Sequence, residues 1–143
     1  MKRNLISMIF TLAFTLQLMG CNNSYRDVTY KDGVYIGKSS EDDLGAYGEV
    51  RITIEEGSIA ECEYVTWQKD GSIKDENYGK VNGEISNQDY YDKAQLAVKA
   101  MTQYAEKLVE AQSLKGVDAI SGATISYSQF VEAVNNALDQ VQE

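Results

Sequence analysis

The segment Asp118-Ala119-Ile120-Ser121-Gly122-Ala123-Thr124 holds the residues of this chain best placed to do chemistry. A hydroxyl that is to act as a nucleophile must be free of its own backbone and open to its reaction partner. Gly122 and Ala123 carry almost no side chain, so the segment can enter a narrow site and take a tight turn. Thr124 then supplies the hydroxyl. A helix is predicted just after it, and the unpaired N–H groups of a helix N-terminus favour an anion. Asp118 and Ser121 are the other polar groups of the segment. Two plain alternatives stand beside this reading. Asp118 is a turn residue bonding local N–H groups, and residues 121–128 are a polar turn that caps a helix.

Other chemistries are excluded by composition. The chain has no histidine, which removes Ser-His-Asp triads, Cys-His dyads and every histidine-ligated metal or haem. The cysteines are Cys21 and Cys62, too few for a four-cysteine zinc or iron–sulfur site and not a C-x-x-C pair. A formal charge of −9 argues against nucleic acid, whose phosphates need Lys and Arg, and against adsorption to anionic lipid. With 143 residues, 43% hydrophobic and 24% charged, the chain suits one globular domain.

The N-terminus reads as an address. Lys2 and Arg3 precede an apolar stretch over residues 5–19, too short to span a bilayer comfortably. It ends in Leu18-Met19-Gly20-Cys21, which resembles the bacterial lipobox. That resemblance implies diacylglycerol on the Cys21 sulfur and cleavage before it; two acyl chains are enough for stable anchoring. The alternative is an ordinary signal peptide with a chance cysteine. Residues 1–20 are thus assigned to a lipoprotein signal peptide and 21–31 to a lipidated tether. Cleavage removes two cations and no acid, and leaves Cys62 without an intramolecular partner. Cys62 falls in a predicted strand, where a buried inert thiol is expected.

The elements that position the motif follow from periodicity. Val34-Tyr35-Ile36-Gly37 reads as a first strand, followed by an acidic loop through residue 48 whose Glu41-Asp42-Asp43 run is expected to be a solvated surface. In Glu49-Val50-Arg51-Ile52-Thr53-Ile54-Glu55 strict alternation puts Val50, Ile52 and Ile54 on one face. A Glu56-Gly57 turn leads to a strand over 58–68, giving an antiparallel hairpin. Residues 73–85 are expected to be irregular, with a small hairpin at Asn82-Gly83. Ser86 and Asp89 resemble a capping arrangement for an amphipathic helix over 88–112, closed near Gly116. Residues 117–120 read as a strand or extended entry, and a second helix is predicted over 128–141 with Phe130, Val134, Ala137, Leu138 and Val141 on one stripe. Strands first and helices later predict a small α+β domain: an antiparallel sheet packed by a long amphipathic helix and a C-terminal helix.

Asp118 to Thr124 matches D-x-x-[S/T]-G-A-[S/T], the motif read by bacterial flavin transferases. With Asp32-Gly33-Val34-Tyr35-Ile36-Gly37, Gly48 before an alternating strand, the long helix and the final helix, the chain from about Asp32 to Leu138 resembles the FMN-binding domain family, in its single-domain extracytoplasmic lipoprotein form, and residues 32–143 are assigned to that domain. The resemblance implies FMN joined covalently to Thr124 through a phosphoester. The partner would be a flavin transferase using FAD and releasing AMP. Asp118 and Ser121 would help the transferase recognise or activate the site, and together with Gly122 and Ala123 they would belong to the cofactor-binding segment. It further implies a lipid-anchored electron carrier at the extracytoplasmic face of the cell membrane, fed by a membrane redox donor such as a quinone-linked dehydrogenase. A flat isoalloxazine stacks on aromatics, and Trp67, Tyr78 and Tyr127 are the candidates; packing within the protein is the alternative for each. With no nicotinamide fingerprint and no catalytic acid–base pair, an electron carrier is expected rather than an enzyme such as a flavin reductase. A surface lipoprotein of the same fold that binds a partner and is not flavinylated is the competing function.

Overall fold

A computed structural model describes residues 30–142. The expected signal sequence, Cys21 and tether residues 21–29 lie outside the described residues. Three strands, β1 (Gly33–Lys38), β2 (Tyr47–Glu55) and β3 (Ser58–Trp67), form an antiparallel sheet in the order β1-β2-β3. Two helices follow, α1 (Gln88–Ala111) and α2 (Thr124–Leu138). This is the α+β arrangement that the periodicities predict. No helix among the described residues is long and apolar enough to cross a membrane.

The alternation in β2 does what it promises: Val50, Ile52 and Ile54 are at most 1% exposed. Glu56 (φ 51°) and Gly57 (φ 72°) make the two-residue turn into β3, whose positive dihedrals match the twist of a hairpin. β3 pairs Tyr64 with Val50 and Cys62 with Ile52, and a bulge opposite Thr53 and Ile54 leaves Ala60 over. The Asn82-Gly83 hairpin is present, with φ values of 51° and 81° between paired Val81 and Glu84. Both helices cover one face of the sheet, α1 on β3 and α2 on β1 and β2. Gly37 permits this closeness, since a Cβ there would collide with Ala133 O and Ala137 N on α2. Tyr104, Leu108, Phe130 and Val134 fill the space between, all at most 1% exposed.

Several boundaries differ from the sequence expectation. The cap of α1 is Asn87, whose Oδ1 accepts the Tyr90 N–H at 2.9 Å; Ser86 and Asp89 do not form it. The helix closes at Gln112 (φ 57°) rather than near Gly116, which sits in a short 3₁₀ turn, Leu114–Gly116. Gln112 can end the helix because its side chain exchanges two bonds with the backbone of Ile59, at 2.9 and 2.8 Å, tying α1 to the start of β3. Val117 is extended, and residues 117–120 join no strand. α2 begins at Thr124, four residues before the predicted start, and gives way after Leu138 to a 3₁₀ turn, Asp139–Gln142. Its first turns hide from a hydrophobicity reading because Ser126 and Gln129, both 6% exposed, occupy its buried face. The acidic loop is more than a solvated surface: Asp42 Oδ1 accepts the N–H groups of Leu44 and Ala46, both at 2.9 Å, and so shapes the turn.

Candidate functional site

The motif is a tight turn feeding a helix. Ala123 N–H donates to Ile120 O at 3.0 Å, and Gly122 occupies the left-handed position between them with φ 83°. A Cβ on Gly122 would also come within 2.7 Å of Leu96 Cδ2, so α1 closes on this turn. Ala123 is buried and stands at the N-cap of α2 without a side-chain cap bond. The first helical bond runs from Tyr127 N–H to Ala123 O at 3.0 Å. The N–H groups of Thr124, Ile125 and Ser126 therefore precede it and have no partner within the helix. No acid lies in this first turn. Thr124 is exposed at the first helical position, with exposed Ile125 beside it.

Three tyrosines hold the segment from three elements. Tyr104 of α1 accepts the Ile120 N–H at 2.9 Å and donates to Ala123 O at 3.2 Å, so one hydroxyl spans both ends of the turn. Burial pushes the Tyr104 pKa up, which keeps the donating proton in place. Tyr127 of α2 donates to Val117 O at 2.8 Å and packs its ring 5.5 Å from that of Tyr104. Tyr64 of β3 donates to Ser126 O at 2.8 Å; burial pushes its pKa up to about 12. Tyr64 and Tyr104 escaped the sequence reading as site residues. The signal for Tyr104 was its place in an apolar helical stripe, where a buried hydroxyl needs a partner.

The other predicted residues are placed as follows. Asp118 and Ser121 are exposed, and Asp118 has no hydrogen-bond partner among the described residues. Trp67 ends β3 opposite Tyr47. By alternation it belongs to the sheet face opposite Thr66, whose hydroxyl meets Met101 Sδ of α1 at 3.2 Å. Its buried Nε1 has no partner. Tyr78 lies in the loop after β3, with its carbonyl held by Gln95 Nε2 of α1 at 2.9 Å. It helps line a depression of about 230 Å³ with Leu44, Ala46, Gln68, Lys69 and Lys74. The structure thus brings Asp118, Ser121, Gly122, Ala123, Thr124 and Tyr127 into one locus, and leaves Trp67 and Tyr78 on neighbouring segments. Cys62 is a half-buried free thiol of β3, pushed up to about 12 by burial and, less, by Glu63.

No curated protein matches the chain. Two solved structures resemble it, each 24% identical over 79% of this chain. One is a crystal structure of a Clostridium perfringens protein, 89% covered, with a TM-score of 0.62; the other is a solution structure from Clostridium thermocellum, 93% covered, with a TM-score of 0.46. The first supports the fold. The profile of the FMN-binding domain matches residues 44–139, which contain the motif turn, the three tyrosines and both helices, and on that match the chain belongs to the FMN-binding domain family.

Proposed function

We propose that this protein is a lipid-anchored, extracytoplasmic flavoprotein. It carries FMN as a phosphoester on Thr124 and relays electrons from a membrane redox donor, such as a quinone-linked dehydrogenase, to an acceptor outside. The observation that carries the reading is the exposed Thr124 hydroxyl on the uncapped first turn of α2, in a chain of this family.

The residues present fit a phosphate-borne flavin. Three N–H groups without partners in the helix, the positive end of its dipole and the absence of a first-turn acid favour one phosphodiester charge at this spot. In an acidic protein of charge −9 that local potential matters more than usual. Exposed Ile125 and the Leu96 side chain beside Gly122 offer apolar surface next to the attachment oxygen. Attachment replaces the Thr124 O–H bond by an O–P bond, with FAD as donor, AMP as leaving group and a flavin transferase as catalyst. Bound FMN supplies a centre for one- or two-electron exchange. The chain supplies its position: Tyr104, Tyr127 and Tyr64 fix the turn, and Gly122 and Ala123 keep it slim enough for the transferase. A covalent bond suits an extracytoplasmic carrier, from which a dissociable cofactor would diffuse away. For Cys21, lipid attachment would tether the domain through residues 21–31.

The test is mass spectrometry of protein produced with a flavin transferase. The flavin adduct is expected on the peptide containing Thr124 and should vanish in Thr124→Ala, with unfolding stability changed by no more than about 0.5 kcal/mol because the side chain is exposed. Bare Thr124 in the wild type refutes the attachment and leaves the unflavinylated surface lipoprotein as the reading. Cys21→Ser should release the protein from membranes; retention there would refute the lipid anchor.

A further inference from the structure

The two edges of the sheet are finished differently. Ser39 N–H donates to Gly48 O at 2.8 Å, so Gly48 and, by alternation, Val50, Ile52 and Ile54 bond to β1. Ile36 and Lys38 therefore turn their backbone groups away from β2. α2 and the turn after it cover that edge with side chains one helical turn apart. Glu132 accepts the Ser40 N–H at 3.0 Å, Asn136 donates to Lys38 O at 2.7 Å and Gln140 donates to Ile36 O at 2.8 Å. On the other side, Glu49, Arg51 and Thr53 bond to Val65, Glu63 and Glu61, which turns the N–H and C=O groups of Cys62 and Tyr64 outward. At one end of this edge the Gln112 amide occupies both backbone groups of Ile59, at 2.9 and 2.8 Å. At the other, Lys74 N–H donates to Thr66 O at 2.9 Å. Between them, the outward backbone groups of Cys62 and Tyr64 have no partner among the described residues. A row of unpaired backbone groups is a template for a further strand.

A groove of about 470 Å³ runs along this open stretch, between β3 and α1. Its apolar lining is Cys62 and Val109, both half-buried, and buried Ala105. Its rim is acidic: Glu61 and Glu63 on β3, Glu106 and Glu110 on α1, all exposed. Lys107 holds Glu110 at 2.7 Å, while Glu61, Glu63 and Glu106 join no ion pair among the described residues. By alternation Glu61 and Glu63 belong to the sheet face opposite that of Cys62, and α1 packs on the Cys62 face. A strand laid along Cys62 and Tyr64 meets carboxylates on both of its faces. Those charges repel the β3 edge of a second copy, which brings the same acids to the seam, and they favour a cationic guest.

We infer that the open middle of the β3 edge receives an extended, lysine- or arginine-rich segment of another protein by strand addition. Main-chain bonds to Cys62 and Tyr64 hold the guest, alternate apolar side chains enter the groove over Ala105 and Val109, and its cations meet the glutamates. The bound stretch is short, because Gln112 closes the edge at Ile59 and Lys74 closes it at Thr66. No residue of the motif turn takes part, and the flavin is not required.

The test is an NMR titration of the isotope-labelled mature chain, kept in solution by Cys21→Ser. The probes are a short peptide alternating lysine and valine and its counterpart with glutamate in place of lysine. At about 1 mM, the weak end of specific affinities, the basic peptide should shift the Cys62 and Tyr64 amides and slow their hydrogen exchange, and the acidic one should not. Glu61→Lys combined with Glu106→Lys should weaken the basic peptide at least about tenfold and admit the acidic one. Cys62→Pro removes an outward donor without touching the ladder to β2, and should weaken the basic peptide at least about tenfold as well. Should circular dichroism show the proline variant unfolded, the charge-reversed pair decides. Unchanged amides at Cys62 and Tyr64 overturn the inference. So does binding indifferent to the charge reversal, or self-association of the free chain through the same two amides.

Discussion

Tyr104→Phe removes one oxygen atom and tests whether the motif turn is held from α1. The ring survives, so its stacking on Phe130 at 5.6 Å and its tilted contact with Tyr127 at 5.5 Å are kept. What goes is the acceptor of Ile120 N–H and one donor to Ala123 O. The carbonyl still receives Tyr127 N–H, so its loss is small. The Ile120 N–H, half-buried, loses its partner outright, and an orphaned donor costs about 1–3 kcal/mol. The expected destabilisation is therefore about 1–3 kcal/mol in urea, with an unchanged m-value because the same surface is exposed on unfolding. Amide exchange at Ile120 should quicken, and, on the proposed attachment, the flavin load on Thr124 should fall because a transferase would meet a looser turn. A variant within about 0.5 kcal/mol of wild type, with Ile120 exchange unchanged, would show that the hydroxyl contributes nothing to the turn.

Gly37→Ala should be severe. Its Cβ meets backbone atoms of α2, which cannot swing aside, so the cost lies at the top of the overpacking range, about 3 kcal/mol or more; a urea midpoint near wild type would contradict the close approach. Gly122→Ala should cost about 1–2 kcal/mol in the same assay, because φ is 83° and only the flexible end of Leu96 must yield; a loss under about 0.5 kcal/mol would argue against the left-handed turn. Two acids, half-buried Cys62 and buried Tyr64, set an alkaline limit. Cys62 and Tyr64 are raised from 9.0 and 10.0 to about 12, so the native state holds these protons more tightly than the unfolded chain. Their stabilisation is complete below about pH 9 and is lost as pH rises towards 12; urea midpoints flat to about pH 11 would refute it.

The parts of the fold that obey one period were readable in advance. Val50, Ile52 and Ile54 alternate because one face of β2 is dry, and Asn82-Gly83 turns because both residues tolerate positive φ. The motif itself was readable through its match to D-x-x-[S/T]-G-A-[S/T], since its residues alone suit a polar turn before a helix equally well. The boundaries that failed share a physical cause: side chains whose role is set by tertiary partners. Gln112 ends α1 because Ile59 lies within reach of its amide, and no local propensity encodes that. Ser126 and Gln129 are polar residues on a buried face, where the Gln129 amide donates to Ala46 O just before β2, so the hydrophobic stripe begins four residues late. Tyr64 and Tyr104 read as core aromatics, and their hydroxyls acquire meaning once three elements meet at the turn.

Those hydroxyls also explain how α2 starts where it does without a cap. Alanine is among the poorest N-cap residues, and replacing a good cap by it costs about 0.5–2 kcal/mol. Ala123 has φ −125° and ψ 31°, away from the extended backbone from which a capping side chain reaches forward. The helix end is open by residue type and by geometry alike. Its direction is fixed instead from behind, by Tyr104 on Ala123 O, Tyr127 on Val117 O and Tyr64 on Ser126 O. All three bonds use carbonyls and leave the first three N–H groups of α2 without a partner in the helix, where a serine or aspartate cap would have engaged one of them. On the proposed attachment, anchoring through carbonyls would supply the rigidity a modifying enzyme needs while leaving those donors to the phosphodiester.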